Sequence, residues 1–384
     1  MIKFLHSSDW HLGKSLFAKS LLEDQDLALQ ELRALIEAER PDAVLLAGDL
    51  FDRSIPPEAA VKRLDLFLAD TVLKLKTPVV LIPGNHDSNI RLGLHADLLR
   101  GAGLHVFSSP ESILQPARFK TASVYGIPYL EPAEWALYFE RQNQIRTHQE
   151  ALEAIIEALK PLLADDRAQG RRSVLVLHAY VTGGEPSESE RPLSIGGSDL
   201  VHSELLRDFD YVALGHLHRP QTIGSERIRY SGSLFPYSQS EASQEKGVVR
   251  VTLDRPETDR FDFLPFQTCR KLRSVRGKFE DLLKSEPSDD YVIAMLTDAV
   301  MPFEAYRSLQ RVFPSLLHVG REIDWSRSDA EEADQAARVR RKLEASDQEV
   351  LGEFLISAAS DTITDEDREW LLAELDAFSK ADAT

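Results

Sequence analysis

Five short stretches of this sequence combine histidine, aspartate and asparagine in patterns that can bind metal ions. In chain order they are SSDWH with Asp9 and His11, AGDLFD with Asp49 and Asp52, PGNHD with Asn85, His86 and Asp87, LHA with His178, and GHLH with His216 and His218. Any one of them alone is better explained as a turn or a surface histidine, because such residues are common where strands end. Five at the ends of successive predicted strands instead indicate one shared site.

Each stretch follows a short apolar run that is typical of a β-strand. The predicted strands run from Ile2 to Leu5, Ala43 to Ala47, Val79 to Ile82, Val174 to Leu177 and Tyr211 to Leu214. Helical periodicity predicts helices from Leu22 to Glu39, Pro57 to Leu75 and Gln149 to Leu163. Strands that alternate with helices predict an α/β fold, in which ligands bind beyond the carboxyl ends of the strands. The five stretches are therefore expected to meet at one edge.

The types of ligand indicate the metal. A mixture of carboxylate, imidazole and amide groups without thiolate suits Mn²⁺, Fe²⁺ or Zn²⁺ better than Ca²⁺ or Mg²⁺. Manganese is the first choice, with Mg²⁺, Fe²⁺ or Zn²⁺ as alternatives. The candidate ligands outnumber what one ion needs, whereas two ions about 3.5–4 Å apart can share a bridging carboxylate. Asp49, on the predicted central strand, is expected to be that bridge.

Composition excludes several classes of protein. Hydrophobic residues at 43% and charged residues at 28% exclude a fibrous or wholly disordered chain. Cys269 is the only cysteine among the 384 residues, which excludes an intrachain disulfide and a thiolate cluster. The net charge of −18 argues against binding nucleic acid mainly through a broad basic surface, unless bound cations and a partner contribute. Without an apolar run of membrane-spanning length, we expect a cytoplasmic protein that does not bind a membrane.

The pattern changes along the chain and predicts three parts. Residues 1–270 form the α/β domain, in which GVVRVTLD and RFDFLPF predict antiparallel strands that close a second sheet. Residues 271–325 contain the strand YVIAML, the helix FEAYRSLQRVF and the strand SLLHVG, which predict a small α/β module. Residues 326–384 comprise a polar linker and two amphipathic stretches at 350–358 and 370–378. A segment rich in Gly, Ser, Pro and Glu between His178 and Tyr211 predicts a long loop near the site.

The motifs D-x-H, GD-x-x-D, GNHD, a lone histidine after a strand and GH-x-H resemble the signature of the calcineurin-like metallophosphoesterase superfamily. The resemblance covers residues 1 to about 265. It implies an α/β fold of the α+β sandwich type, with a two-sheet core flanked by helices. It also implies hydrolysis of phosphoesters at a centre that holds two metal ions.

The resemblance further implies a role for each site residue. It places Asp9, His11, Asp49 and His218 around one ion, and Asp49, Asn85, His178 and His216 around the other. His86 stays without a metal and would donate a proton to the leaving oxygen or stabilise charge on the phosphoryl group. Asp52 is expected to hydrogen-bond His86 and fix its orientation, with an ordinary helix cap as an equal alternative.

Charged residues next to these motifs are weaker candidates for a role in the site. Lys14, Arg53 and Arg219 flank the motifs and could reach phosphate oxygens, although a solvated surface role is the preferred interpretation for each of them. Asp87 is expected to cap the helix that follows it.

Longer stretches of the sequence resemble one particular family within this superfamily. SSDWHLGK, AGDLFDR, SESERPLSIGGSD, DYVALGHLHRPQ and YSGSLFPYS are similar to the SbcD-type family of nuclease subunits from bacterial DNA double-strand-break processing complexes. This resemblance implies a 3′–5′ double-strand exonuclease and single-strand or hairpin endonuclease that acts in DNA end processing, repair, replication and recombination. It implies a capping domain at residues 271–325, a homodimer of nuclease subunits, and terminal helices that bind an SbcC-type coiled-coil ATPase.

Two other functions stay open at this level. The first is a metallophosphoesterase that hydrolyses small nucleotide phosphodiesters, against which the capping module and the terminal stretches argue. The second is a non-catalytic scaffold on the same fold. The complete set of ligands and the retained His86 argue against the scaffold.

Overall fold

A computed structural model describes residues 1–190, 200–254, 259–267 and 270–321. Residues 1–321 form one compact unit. The predicted linker and amphipathic stretches of residues 326–384 lie outside the described residues. Within the described part of the chain, no helix is long and apolar enough to cross a membrane.

Strands and helices are interspersed up to Ala168, and from there to Gly277 the described chain is mainly strands with short 3₁₀ turns. The strands are β1 Ile2–Ser7, β2 Ser15–Leu16, β3 Lys19–Ser20, β4 Ala43–Ala47, β5 Val79–Ile82, β6 Leu104–Val106, β7 Ala117–Arg118, β8 Ala122–Ile127, β9 Arg172–His178, β10 Tyr180–Val181, β11 Leu200–Val201, β12 Tyr211–Gly215, β13 Gln221–Ile223, β14 Ser225–Tyr230, β15 Gly247–Leu253, β16 Arg260–Pro265, β17 Leu272–Gly277, β18 Tyr291–Leu296 and β19 Leu316–Arg321.

The helices differ widely in length. They are α1 Leu22–Glu39, α2 Glu58–Ala69, α3 Asn89–Leu92, α4 Ala96–Arg100, α5 Pro132–Tyr138, α6 His148–Ala168, α7 Phe279–Leu282 and α8 Ala305–Leu309. The backbone of α2 continues as a π-helical segment, Asp70–Lys74. Short 3₁₀ turns run over Pro110–Leu114, Ser203–Leu206 and Gln239–Glu241.

Two six-stranded sheets form the centre of the molecule. The first has the order β16-β15-β1-β4-β5-β6, with β1, β4, β5 and β6 parallel. The second has the order β13-β14-β12-β9-β8-β7, with β8, β9, β12 and β14 parallel. Since parallel neighbours end at the same edge of a sheet, each sheet presents a row of carboxyl ends.

The sheets pack face to face, and helices cover both outer faces. Residues such as Phe4 and Leu45 of the first sheet and Val176 and Ala213 of the second form a buried cluster between the sheets. One outer cluster joins the first sheet to α1 and α2. Another joins the second sheet to α5 and α6. This four-layer arrangement confirms the predicted α/β fold of sandwich type with a two-sheet core.

Several predicted boundaries and one predicted pairing were inaccurate. The predicted helix from Pro57 ends as an α-helix at Ala69, and Pro57 is its N-cap with extended backbone. The closing strand β15 pairs antiparallel with β1, and β16 pairs antiparallel with β15, so both extend the first sheet instead of closing a second one. Alternating apolar residues predict a strand correctly, but they do not specify its partner.

A small three-stranded parallel sheet follows the sandwich. Its order is β17-β18-β19, with α7 and α8 packed in a cluster of its own that includes Val292 and Phe313. Its other face contributes Leu272, Tyr291 and Ile293 to a cluster shared with residues of the sandwich. This cap, residues 272–321, therefore has both a core of its own and an apolar contact with the sandwich.

Polar contacts also join the cap to the sandwich. Tyr291 Oη donates to Asp24 Oδ2 at 2.6 Å, and the Arg270 guanidinium lies 3.4 Å from Asp24 Oδ1. The ring of Phe17 stacks on His318 with 4.9 Å between the ring centroids. Because Asp24 is fully buried, its carboxylate depends on Tyr291 of the cap and on Arg270, which lies just before the cap in the sequence.

Candidate metal centre

The carboxyl ends of the parallel strands bring the predicted ligands to one place. Asp9 and His11 follow β1, Asp49 follows β4, and Asn85 and His86 follow β5. His178 is the last residue of β9, and His216 and His218 follow β12. All of these side chains are buried except Asn85, which is half-buried. The site therefore lies where the carboxyl-end edges of both sheets meet.

The backbone at several of these residues adopts a conformation that L-residues seldom take. Asp9, His11 and Asp49 have φ angles of 52°, 44° and 51°, and His216 has a φ of 108°. Positive φ costs on the order of 1–3 kcal/mol per residue and clusters at functional sites. Here it turns each strand end so that the side chain points into the centre.

A glycine keeps space open for the central carboxylate. A Cβ at Gly84 would overlap the Asp49 carboxylate and its backbone nitrogen. A Cβ at Gly215 would overlap the carbonyl of Ala47, where the two sheets approach. The GN and GH pairs in the motifs therefore reflect close packing of backbone around the site.

Asp49 occupies the middle of the cluster. Its Oδ2 lies 3.6 Å from His11 Nε2 and 3.5 Å from His178 Nε2. Its Oδ1 accepts a hydrogen bond of 2.9 Å from the backbone N–H of His86. One oxygen is thus anchored while the other faces a histidine on each side, which is the geometry that a bridging carboxylate requires.

Pairs of potential ligand atoms face each other across the centre. His178 Nδ1 donates to the Ala47 carbonyl at 2.9 Å, so its Nε2 carries a lone pair. That Nε2 lies 3.0 Å from Asn85 Oδ1, and His11 Nε2 lies 3.1 Å from His218 Nε2. Converging lone pairs repel unless a cation or a proton lies between them, so these donor sets fit divalent metal ions.

Three overlapping groups of side chains could each hold an ion. They are Asp9, His11 and His218; His11, Asp49 and His86; and Asp9, Asp49 and His178, with candidate ligand atoms within 4.8 Å of one another in each group. His216 lies beside the third group, with its ring centroid 5.4 Å from that of His178. His86, which the resemblance leaves without a metal, is thus also within reach of one.

The electrostatics of the site favour a cation. Burial and the neighbouring Asp49 raise the pKa of the Asp9 carboxyl well above its ordinary value. Burial lowers the pKa of His11, His178 and His216, so these imidazoles are neutral at pH 7 and can act as ligands. A bound divalent cation would offset the cost of burying the carboxylates.

Asp52 contacts His86 through its main chain instead of its carboxylate, which differs from the expectation. His86 Nδ1 donates to the Asp52 carbonyl oxygen at 2.8 Å. The Asp52 carboxylate instead accepts a hydrogen bond of 2.8 Å from Lys14 Nζ. The bond to Lys14 joins two charged groups, and it leaves the carbonyl oxygen of Asp52 to accept from His86. The helix-cap alternative is also wrong, since α2 has Pro57 as its N-cap.

The three flanking cations lie in different surroundings. Lys14 is committed to its pair with Asp52. Arg53 is 65% exposed in its side chain and lies 4.0 Å from Asp52 Oδ2. Arg219 is exposed and pairs with Glu185. Arg53 and Arg219 are therefore surface residues that adjoin the site in sequence.

Asp87 does not cap the following helix. Its carboxylate accepts hydrogen bonds from the backbone N–H groups of Leu50, Phe51 and Gly84, at 2.9 to 3.0 Å. Burial and Asp49 raise its pKa to about 7. The N-cap of α3 is Ser88, whose hydroxyl accepts from Arg91 N. Asp87 therefore links the second motif loop to the third through hydrogen bonds from backbone N–H groups of both loops.

Sequence reasoning missed a group of buried polar residues behind the ligands. Gln25 Nε2 donates to the carbonyls of Trp10 and His11 at 3.1 and 2.8 Å. The Tyr237 hydroxyl lies 3.0 Å from the same nitrogen, and it donates its own proton to the carbonyl oxygen of Trp10. A signal for Gln25 exists, because it shares the buried face of α1 with Leu29, where an apolar residue is the rule. Tyr237 gave no such signal.

The long loop after β9 reaches the site through its described part. Glu190 Oε1 accepts from the backbone N–H of His218 at 2.7 Å, and Ser189 Oγ lies 2.6 Å from His218 Nδ1. The described part of the loop, which ends at residue 190, therefore lies beside His218, as expected. Residues 191–199 lie outside the described residues.

The model of the calcineurin-like phosphoesterase family matches residues 2–220 of this sequence. The chain belongs to this family. A dimetal phosphatase from Danio rerio is a similar solved structure, with 14% sequence identity over 66% of this chain and 93% of that chain and a TM-score of 0.39. Family membership together with the His and Asp clusters identifies a metal-dependent phosphoester hydrolase.

His86 provides a test of the site. Replacing it in the variant His86→Asn is expected to lower kcat by about 10²–10⁴-fold, because the proton donor or charge stabiliser is lost. Its content of divalent metal should stay close to that of the unmodified enzyme. The variant His178→Ala is the contrasting control, since it should lose metal as well as activity. Hydrolysis of bis-p-nitrophenyl phosphate and elemental analysis measure both quantities; a loss in kcat below about tenfold contradicts the role of His86.

Proposed function

We propose that this phosphoester hydrolase is an SbcD-type DNA nuclease, with 3′–5′ exonuclease activity on double strands and endonuclease activity on single strands or hairpins. The observation that carries the proposal is a basic edge strand that adjoins the metal centre in an otherwise strongly acidic chain. The proposed process is DNA end processing in repair, replication and recombination.

We further propose how the two ions would be held. Asp9, His11, Asp49 and His218 would bind one ion, and Asp49, Asn85, His178 and His216 the other, with Mn²⁺ as the first choice of metal. When bound, the ions would supply an activated water and neutralise charge on the phosphoryl oxygens. The support for this assignment is the central position of the Asp49 Oδ2 between His11 and His178.

The protein's own part in the reaction centres on His86. Its Nδ1–H is held by the Asp52 carbonyl, so Nε2 is the ring atom that faces the centre, 3.9 Å from Asp49 Oδ2. A protonated His86 would donate from Nε2 to the leaving oxygen, and the Asp52 carbonyl would stabilise the imidazolium through Nδ1–H. The buried surroundings exclude bulk water from this exchange.

The basic strand is β17 with its flanks. Residues 270–278 read RKLRSVRGK, with five cations and no acidic residue. Lys271, Arg273, Arg276 and Lys278 are exposed, and β17 is an edge strand of the cap. The pair of Arg273 with Asp290 at 3.6 Å is an exposed one, which phosphates can displace at little cost. Because side chains alternate along a strand, the cations lie on both faces of this edge strand. Exposed cations on both sides of the edge can bind the phosphates of a nucleic acid backbone that runs along it.

A short chain of contacts joins this strand to the metal centre. Ser274 on β17 accepts a hydrogen bond of 2.9 Å from Gln239 Nε2. Gln239 begins the 3₁₀ turn that ends at Glu241, and Glu241 contacts His218 Nδ1 at 3.2 Å. A polymer that lies along β17 would therefore pass close to the metal centre. A small phosphodiester bound at the centre would not need contacts with this strand.

The test compares a polymer with a small substrate. The triple variant Arg273→Ala, Arg276→Ala, Lys278→Ala is expected to lose affinity for duplex DNA, because each phosphate contact contributes counterion release. The slope of log K against log salt should fall by about one per lost contact. Hydrolysis of bis-p-nitrophenyl phosphate with Mn²⁺ serves as the reference rate for each variant.

The matched control removes three exposed cations on or beside α6, in the triple variant Lys160→Ala, Arg167→Ala, Arg207→Ala. It changes the net charge equally and should leave DNA affinity and the salt slope nearly unchanged. Equal effects of the two triple variants would count against the basic strand. Failure of the unmodified enzyme to cut duplex or hairpin DNA, while it cuts small nucleotide phosphodiesters, would favour that alternative function.

We also propose that the subunit forms a homodimer through an apolar surface on α3, α4 and α2. Ile90, Leu94 and Leu98 are 87%, 63% and 78% exposed and recur every four residues. Leu66 and Leu73, from α2 and the π-helical segment, are 53% and 57% exposed. Leu73 lines one groove together with Leu92 and Leu99 of the two short helices. Exposed apolar residues of this kind mark interaction surfaces, and a two-fold dimer would bury the same surface on both subunits.

The double variant Leu94→Glu, Leu98→Glu tests this dimer. It is expected to be a monomer, because two buried carboxylates per subunit would face each other without partners. Light scattering after gel filtration measures the mass. The control is Leu137→Glu on α5, which puts an acid at another exposed leucine of 69% exposure and should not change the mass. A monomeric unmodified enzyme at micromolar concentration rules out the dimer.

An SbcC-type coiled-coil ATPase is the proposed partner. The support is the resemblance together with two apolar stripes in the sequence, at residues 350–358 and 370–378. A chain that ends at Ser326 should still hydrolyse a small phosphodiester, yet it should fail to copurify with the ATPase and lose ATP-stimulated digestion of duplex DNA. Unchanged affinity of the shortened chain for the ATPase contradicts the assignment of the stripes.

A further inference from the structure

A buried ion pair lies directly behind His218. Glu241 is fully buried and Lys246 is 7% exposed. Lys246 Nζ donates to Glu241 Oε2 at 2.7 Å. Buried pairs seldom add stability over apolar residues of equal size, because both charges lose their hydration. Their presence at this position therefore suggests a role other than holding the fold together.

The three protons of Lys246 are all used. Besides Glu241, the ammonium donates to the backbone carbonyl of His218 at 2.7 Å and to Gln244 Oε1 at 2.9 Å. One cation therefore binds both the main chain of His218 and the carboxylate beside its ring.

The partners of Glu241 determine which nitrogen of His218 carries the proton. Ser189 Oγ donates its only proton to Glu241 Oε1. His218 Nδ1 lies 2.6 Å from Ser189 Oγ and 3.2 Å from Glu241 Oε1. Both neighbours can only accept from the ring, so Nδ1 must be the protonated nitrogen. His218 Nε2 then carries the lone pair, and it faces His11 Nε2 at 3.1 Å.

His11 on the other side of this position is held differently. Among the described residues, its Nδ1 has no hydrogen-bond partner; Asp52 Oδ1 lies 3.8 Å from it, and the Tyr237 ring centroid is 5.4 Å from that of His11. The backbone of His218 is held at both ends, since Glu190 Oε1 accepts from its N–H at 2.7 Å. His218 is therefore the anchored imidazole of the two.

We propose that Glu241, Lys246 and Ser189 are positioning residues that fix the tautomer and orientation of His218 for a metal ion bound between His218, His11 and Asp9. The proposal rests on His218 being a ligand, which is part of the proposed function. A carboxylate that accepts from the far nitrogen of a ligand histidine makes the ligand more basic and orients it. The strength of metal binding at this position thus depends on residues that do not touch the ion.

The test measures Mn²⁺ binding to the full chain after chelation. The double variant Glu241→Gln, Lys246→Met removes the pair without leaving an unpaired charge, so it is expected to fold. It should weaken one of two Mn²⁺ binding steps in isothermal titration by about 10–100-fold, while the other step is unchanged. Ser189→Ala should weaken the same step by a smaller factor, because Glu241 can still accept from Nδ1.

A second readout does not involve the metal. In the chelated protein labelled with ¹⁵N-histidine, the shifts of His218 should show protonation on Nδ1 in the unmodified chain and a mixture of tautomers in the double variant. A purely structural role for the pair would leave this tautomer ratio unchanged.

A buried carboxylate elsewhere provides the matched control. Asp166 is fully buried and accepts from Ser123 and Tyr125 behind the second sheet, and Asp166→Asn should bind both ions normally. Wild-type binding by the double variant, or equal loss in Asp166→Asn, overturns the proposal. The variant His218→Ala distinguishes the ligand assignment from the positioning role. If it binds both ions with unchanged affinity, His218 is not a ligand. If it loses an ion but the double variant does not, the positioning role is wrong.

Discussion

Two buried carboxylates, Asp9 and Asp49, face each other where the carboxyl ends of the two sheets meet. Their candidate ligand atoms lie within 4.8 Å of one another and of His178. Burial, and after it the neighbouring Asp49 carboxylate, raise the pKa of the Asp9 carboxyl well above its ordinary value. Only a cation can make this arrangement favourable with both groups charged. The glycines, the positive φ angles and the neutral histidines around the carboxylates all serve that requirement.

The residues behind the ligands hold this arrangement rigid. Gln25 satisfies the carbonyls of the first motif loop, and Asp87 ties the second loop to the third. These side chains replace the water that would otherwise solvate a strained loop. Since a site for phosphoryl transfer acts mainly by positioning and electrostatics, such preorganisation contributes directly to rate.

One residue, Tyr237, contacts both the metal centre and the apolar cluster of the cap. The Tyr237 ring packs against His11 and His218, with centroids 5.4 and 5.6 Å apart. The same residue belongs to the apolar cluster in which Leu272 and Tyr291 of the cap are buried. A shift of the cap would therefore change the packing behind two candidate ligands. If the proposed polymer substrate binds to the cap, this continuity is a physical route by which it would affect the candidate metal centre.

The sequence by itself determined the fold class and the set of candidate ligands, because strand ends and ligand types are local features. It also predicted α1 and β4 with their observed bounds. It could not determine the partner of each group. Lys14 lies 38 residues from Asp52 and takes its carboxylate, so that the carbonyl serves His86. Glu241 and Ser189 lie 23 and 29 residues from His218. Only the tertiary structure brings such residues together, because hydrogen bonds between distant residues depend on packing that no local pattern encodes.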